Sequence, residues 1–174
     1  MKWGRDNEAL ARDTYKSHRL NQFKDYKAVV EFEPPPSYLP REFQHVDIVP
    51  VDPNEISSKP YTIDIQVRGL IVHPTLNWMG YSSDGEVFET DDKGLLEIKC
   101  PQRMYAEVPH SYYDQMQFGM FNLGLKWCDF FVWMEQGYTL KRYAFNEDYW
   151  NQMYVVLPAK RRLSDTFLSG CFSI

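Results

Sequence analysis

The sequence lacks long apolar runs, paired cysteines and an excess of positive charge, and each absence excludes a class of protein. No stretch approaches the ~18 consecutive apolar residues that a membrane span requires. The first residues, MKWGRDNEALARD, are charged where a secretory leader would be apolar. Cys100, Cys128 and Cys171 are odd in number and widely spaced, which suits neither a disulfide framework nor a CxxC metal site. These features point to an intracellular protein in a reducing compartment, cytoplasm or nucleus, that is neither secreted nor membrane-bound. The formal charge of −5 argues against a domain that binds nucleic acid through a basic surface alone. It leaves open an enzyme whose carboxylates are offset by bound cations.

What is present suits one core. The chain has 174 residues, of which 44% are apolar and 16% aromatic, enough for a single packed domain over 1–174. Residues 2–20 carry a helical pattern: Trp3, Asn7, Leu10, Ala11, Thr14 and His18 on one broad side, and Glu8, Ala11 and Tyr15 on a neighbouring stripe. A short strand is expected at 28–32. Residues 33–60 hold most of the eleven prolines, which interrupt hydrogen-bonded ladders. This segment reads as an insertion, either an ordered surface excursion or a mobile flap. Strands are expected at 61–72, 78–81, 86–89 and 95–100, the last preceded by a turn at 91–94, so that 84–100 forms a hairpin. A helix follows at 110–124, two strands at 128–134 and 138–145, and a last helix at 147–156 with Asn146 as its N-cap. A basic tail, 158–174, carries Lys160, Arg161 and Arg162. The order of helix, strands, helix, strands, helix predicts an α/β fold, a mixed β-sheet flanked by helices.

The chemistry concentrates in one strand. In Leu95-Leu96-Glu97-Ile98-Lys99-Cys100, alternation puts Leu96, Ile98 and Cys100 on one face and Glu97 with Lys99 on the other. A solvated outer face would explain two charges flanking Ile98, and so would a bound ligand. Asp84 precedes the first arm of the expected hairpin, and Glu97 lies on the return arm. Two carboxylates brought close repel each other unless a cation intervenes, and an all-oxygen ligand set suits Mg²⁺ or Mn²⁺. A lysine two residues beyond the second carboxylate can neutralise a phosphate. The arrangement is a recipe for phosphodiester hydrolysis built from common residues.

Four motifs in order make the pattern more specific: Ser82-Ser83-Asp84-Gly85, Leu95-Leu96-Glu97-Ile98-Lys99-Cys100-Pro101, Tyr112-Tyr113-Asp114-Gln115-Met116-Gln117, and Trp127-Cys128-Asp129-Phe130-Phe131-Val132-Trp133. Over roughly residues 64–145 the chain resembles the lambda-exonuclease/YqaJ viral recombinase family of the PD-(D/E)xK nuclease superfamily. The resemblance implies a restriction-endonuclease-like core and Mg²⁺-dependent 5′→3′ digestion of duplex DNA, linked to recombination. Mn²⁺ could substitute, and a single-strand annealing protein and a homo-oligomer are the implied partners. Asp84 and Glu97 would be metal ligands together with the Ile98 backbone carbonyl, Lys99 the catalytic lysine, and Gln115 and Ser82 contacts to the substrate phosphate. Glu8, in Trp3-Gly4-x-x-x-Glu8, would join the centre from the first helix. Gln117 lies about 200° from Gln115 on a helix, so it is read as structural. His73 and His110 are read as loop histidines, and Trp127 and Trp133 as core. An endonuclease or RNase of the same superfamily, or a catalytically silent nucleic-acid-binding domain, remain the alternatives.

The chain departs from the family pattern in two ways. Ser83 stands where proline is usual, and about sixty residues separate Glu8 from Gly69, which agrees with an insertion at 33–60. Family members also carry a basic residue ahead of the Trp-Gly helix that holds a 5′ phosphate. Met1 stands almost on that helix, so only Lys2 and Arg5 could serve, and weak discrimination between 5′-phosphate and 5′-hydroxyl ends is expected.

Overall fold

The structure is a computed structural model that describes residues 2–22, 31–46, 61–90 and 92–161. Cys171, most of the basic tail, most of the expected strand at 28–32 and the second half of the proline-rich segment lie outside those residues. Helix α1 spans Lys2–Gln22, α2 His110–Leu123 and α3 Glu147–Arg161. The strands are β1 (Ile63–Gln66), β2 (Ile71–Val72), β3 (Gly80–Tyr81), β4 (Gly85–Glu89), β5 (Asp92–Lys99), β6 (Trp127–Met134) and β7 (Gly137–Ala144). Five of them form a sheet in the order β1-β4-β5-β6-β7, and β2 and β3 make a separate pair. β5 and β6 run parallel and the other neighbours antiparallel. A parallel pair needs a crossover, and α2 supplies it. The expected mixed sheet flanked by helices is the observed architecture.

Both faces of the sheet are covered. On one face Leu95, Cys128, Phe130 and Val132 pack with Tyr113, Met116 and Met120 of α2. On the other, Leu96, Ile98, Phe131 and Trp133 pack with Ala11 and Tyr15 of α1. β6 is therefore buried on both sides, which is why its sequence reads as a continuous apolar run. Trp127 and Trp133 belong to this second core, as expected.

Several expected boundaries shift. The stretch 61–72 is not one strand: β1 ends at Gln66 and β2 begins at Ile71. At 78–81 only Gly80 and Tyr81 pair. Residues 92–94 of the expected turn at 91–94 are already strand, with β4 and β5 paired out to Glu89↔Asp92, and residue 91 lies outside the described residues. Gly94 sits inside that strand because a Cβ there would lie 2.1 Å from the Trp127 ring. Its glycine reflects close packing and not a turn. The last helix runs on to Arg161, capped as expected, with Asn146 Oδ1 accepting the Tyr149 N–H at 3.0 Å. In α1 Trp3 and Leu10 of the broad side are exposed, and the buried stripe is Ala11, Tyr15 and Arg19.

The described half of the proline-rich segment is ordered against the core. Phe32 bridges Arg142, Leu39 and Phe43 are buried, and Asn146 Nδ2 donates to the Phe43 carbonyl at 2.9 Å. No helix among the described residues is long and apolar enough to cross a membrane.

Candidate active site

Asp84 closes the loop between β3 and β4. The β4–β5 ladder ends at Gly85↔Leu96, so the next outward-pointing amide on that edge, Ile98 N–H, has no strand partner. Asp84 Oδ2 accepts it at 2.7 Å. In an antiparallel ladder a residue's N–H and C=O face the same neighbour, so the Ile98 carbonyl also faces the open position beyond the start of β4. The sequence thus brings Asp84 to β5 through a main-chain contact that fixes its height along the strand.

Glu97 faces α2 and is 1% exposed. The expected solvent-side strand face is in fact a covered one, because α2 crosses over it. Glu97 Oε1 accepts from Lys99 Nζ at 2.5 Å and from Gln115 Nε2 at 2.8 Å, and Oε2 accepts from the Tyr81 hydroxyl at 2.6 Å. Lys99 Nζ also reaches Gln115 Oε1 at 3.3 Å and sits 4.6 Å from the centre of the Tyr112 ring. Glu97, Lys99 and Gln115, separated by up to eighteen positions, therefore form one hydrogen-bonded cluster. Gln117 points elsewhere. Its amide accepts from Asn146 N–H and donates to the Ala144 carbonyl, the structural role expected of it.

The electrostatics are unbalanced in a specific way. Burial, and then the Glu97 carboxylate, push the Asp84 pKa up to about 7, against the pull of Lys99 and the Ile98 N–H. Burial works against the Lys99 ammonium, but Glu97 and Asp84 outweigh it and hold its pKa above the usual value. Two carboxylates and a lysine in a covered site leave surplus negative charge on Asp84, which a cation would relieve. The available donors are all oxygen: Asp84, Glu97 and the Ile98 carbonyl. Next to Asp84 in the chain, the Ser83 hydroxyl is buried with no hydrogen-bond partner among the described residues. This donor set fits a hard divalent cation. Among the described residues there is no cluster of three or more His, Cys, Asp or Glu side chains, so such an ion would need main-chain oxygen or water to complete its shell.

Glu8 comes from the opposite face. It lies close enough to raise the pKa of Asp84, but it is bound to its own helix: Arg12 Nη2 holds Glu8 Oε1 at 2.5 Å while Arg12 Nε donates to the Asp84 carbonyl at 3.1 Å. Ser82 is exposed on the loop. His73 accepts from Thr75 and Leu76 N–H and stacks on Phe121. His110 opens α2 and contacts Asp114 and Tyr149. Their contacts are with these groups and not with Asp84 or Glu97. The side chains of Lys2 and Arg5 lie outside the described set.

Two side chains at the site were not anticipated. Tyr81 fixes Glu97 Oε2, and its ring lies so close to α2 that a Cβ on Gly119 would come within 2.6 Å of it. Arg12 joins α1 to the Asp84 loop. Arg12 had a visible signal, an i+4 spacing from Glu8. Tyr81, alone in a two-residue strand, had none.

Residues 55–124 match the family model of the YqaJ-like viral recombinase domain. Similar solved structures include two of LHK-Exo, an alkaline exonuclease from Laribacter hongkongensis. One is 28% identical with a TM-score of 0.49 and covers 56% of this chain and 55% of that one. The other, in complex with dAMP, is 28% identical with a TM-score of 0.43 and covers 53% and 52%. The chain thus spans about half the length of the exonuclease. No curated protein matches it.

Proposed function

We propose that this chain, whose residues 55–124 match the family model of the YqaJ-like viral recombinase domain, is a divalent-metal-dependent deoxyribonuclease that digests duplex DNA from its ends, 5′→3′, in support of recombination. The observation that carries this reading is the half-buried Asp84 beside the buried Glu97, with Lys99 hydrogen-bonded to the latter. Asp84, Glu97 and the Ile98 carbonyl would hold Mg²⁺, or Mn²⁺ in its place. When bound, the cation would polarise a phosphoryl oxygen and lower the pKa of water.

The protein's own groups do the positioning. Tyr81 and Gln115 hold Glu97 in one rotamer. Lys99 presents its ammonium beside Glu97, where it can meet the negative charge of the scissile phosphate. Gln115, on α2 beside Lys99, and Ser82, exposed on the loop, would donate to phosphate oxygens. Glu8, tethered by Arg12, is the further carboxylate that can share in proton transfer. The work is intracellular, with Cys100 and Cys128 as free thiols, and an annealing protein and further copies of this chain are the expected partners.

The test is digestion of end-labelled duplex DNA, single-stranded DNA and RNA with Mg²⁺, Mn²⁺, Ca²⁺ or excess chelator. Mg²⁺ and Mn²⁺ should support stepwise loss of nucleotides from 5′ ends, while Ca²⁺ and chelator should not. Asp84→Ala, Glu97→Gln and Lys99→Ala should each lower kcat by at least about a hundredfold, the scale of a lost acid–base or electrostatic contribution. Full turnover in chelator would overturn the metal assignment. Preference for RNA or internal cuts would transfer the site to its superfamily alternatives.

A further inference from the structure

A cavity of about 250 Å³ opens where β5 and β6 end, lined by Trp3, Pro101, Gln102, Met134, Glu135 and Gln136. Three pieces of the chain meet there: the first turn of α1, the residues just past β5 and the β6–β7 turn. Its position follows from the topology. β5 and β6 are parallel, so both end at the same edge of the sheet, and α1 begins at that edge. Pro101 lies two residues beyond Lys99, and Trp3 lies five residues before Glu8, roughly 7 Å along the helix axis.

The lining has a definite chemistry. The Trp3 indole is 40% exposed, although α1 could have turned a smaller or polar residue outward there. Proline and methionine supply apolar walls. The two amides of Gln102 and Gln136 and the Glu135 carboxylate stand exposed around the rim. The volume is below the ~300–1,000 Å³ typical of pockets for drug-sized ligands, so it suits one planar ring. An aromatic face with neutral amides at the edge matches a nucleobase: the ring stacks, and the amides pair with its polar edge. A carboxylate on the rim disfavours a phosphate there and accepts from an exocyclic amine.

We propose that this cavity is a nucleobase pocket, stacking on Trp3 one unpaired base about one nucleotide from the phosphate held at Asp84 and Glu97. The inference rests on the nuclease reading and adds to it the mode of strand engagement. A duplex end must fray for the base to enter, so the pocket would set where along the strand the cut falls.

The test is an abasic scan. Duplexes carrying one abasic nucleotide, moved one position at a time from the end, are compared for cleavage efficiency in Mg²⁺. The full chain should lose roughly tenfold at one or two adjacent positions, the scale of a lost base–aromatic stack, and little elsewhere. Trp3→Ala should cut the intact duplex less efficiently by a similar factor and respond equally to every position. Trp3→Phe should restore the positional dependence. A flat profile for the wild-type chain, or an unchanged profile in Trp3→Ala, would overturn the pocket. A wild-type chain that cuts no DNA in Mg²⁺ or Mn²⁺ fails the nuclease reading instead. The pocket is then judged by binding of a labelled single-stranded oligonucleotide in Ca²⁺, where an unchanged affinity in Trp3→Ala overturns it and a loss of roughly tenfold supports it.

Discussion

Asp84 is the residue on which stability and chemistry conflict. Its pKa of about 7 arises from burial and from the neighbouring Glu97 carboxylate, so the folded protein holds a proton there that the unfolded chain releases near pH 4. With the folded pKa raised, this contribution to stability is fully present below about pH 4 and is lost as pH rises through about 7. Asp84→Asn keeps the shape and an acceptor for the Ile98 N–H but removes the charge. The metal-free variant is expected to melt at a higher temperature than wild type at pH 8, by up to a few kcal/mol in stability, with the gap closing toward pH 4. Thermal melts in chelator across that range check it. A gap independent of pH would mean that repulsion is not the cause.

At the scale of elements, α1 is held by charge as much as by apolar contact. Asp129 on β6 is fully buried, accepting from Arg142 Nε at 2.6 Å and from the Tyr15 hydroxyl at 2.7 Å. Arg142 also reaches Glu89 at 3.0 Å and lies over the Trp127 ring, and Arg19 of α1 pairs with Glu89. Burial disfavours the Asp129 carboxylate, yet Arg142 holds its pKa below the usual value. The network spans α1, β4, β6 and β7, so it fixes the helix that carries Glu8 and Arg12. Asp129→Ala leaves buried guanidinium groups underpaired and should cost about 3–5 kcal/mol. Tyr15→Phe removes one hydrogen bond and should cost about 1–2 kcal/mol. Urea unfolding with a common slope separates the two, and equal costs would show that the charged network adds nothing beyond packing.

At the scale of the whole molecule, the crossover through α2 decides the site. It brings Gln115 over Glu97 and, by covering that face, converts a strand pattern of exposed charges into a covered centre. Under the proposed function, the charge on Asp84 should make the fold responsive to divalent ions. Ligand that binds only the native state stabilises it by about 2.7 kcal/mol at a hundred times its Kd, which for a chain of this size raises Tm by roughly 5–10 °C. Mg²⁺, Mn²⁺ and Ca²⁺ should each raise the melting temperature, and Asp84→Asn should lose most of that response. No shift with any of the three at saturating concentration would remove Asp84 and Glu97 from consideration as ligands.

The sequence by itself determined the three helices, the main strands and their order, because hydrophobic periodicity acts locally, but it fused β1 with β2 and put a turn where β5 begins. The parallel β6 was legible as an apolar run, the cap of α3 as Asn146, and Glu97 and Lys99 as neighbours on one face through strand alternation alone. It also showed that Gln115 and Gln117 cannot share one site, since a helix cannot turn both the same way, and the family resemblance favoured Gln115. Tertiary structure decided the rest. Whether the face bearing Glu97 is wet or covered depends on where α2 crosses. Glycine at 94 looks like a turn until the Trp127 ring is placed against it. Arg19 belongs to a helix's charged surface by sequence and to the core once Glu89 and Asp129 are opposite. Tyr81, Arg12 and the Trp3 cavity come from contacts between segments far apart in the chain, and no local pattern records which distant residue a side chain will meet.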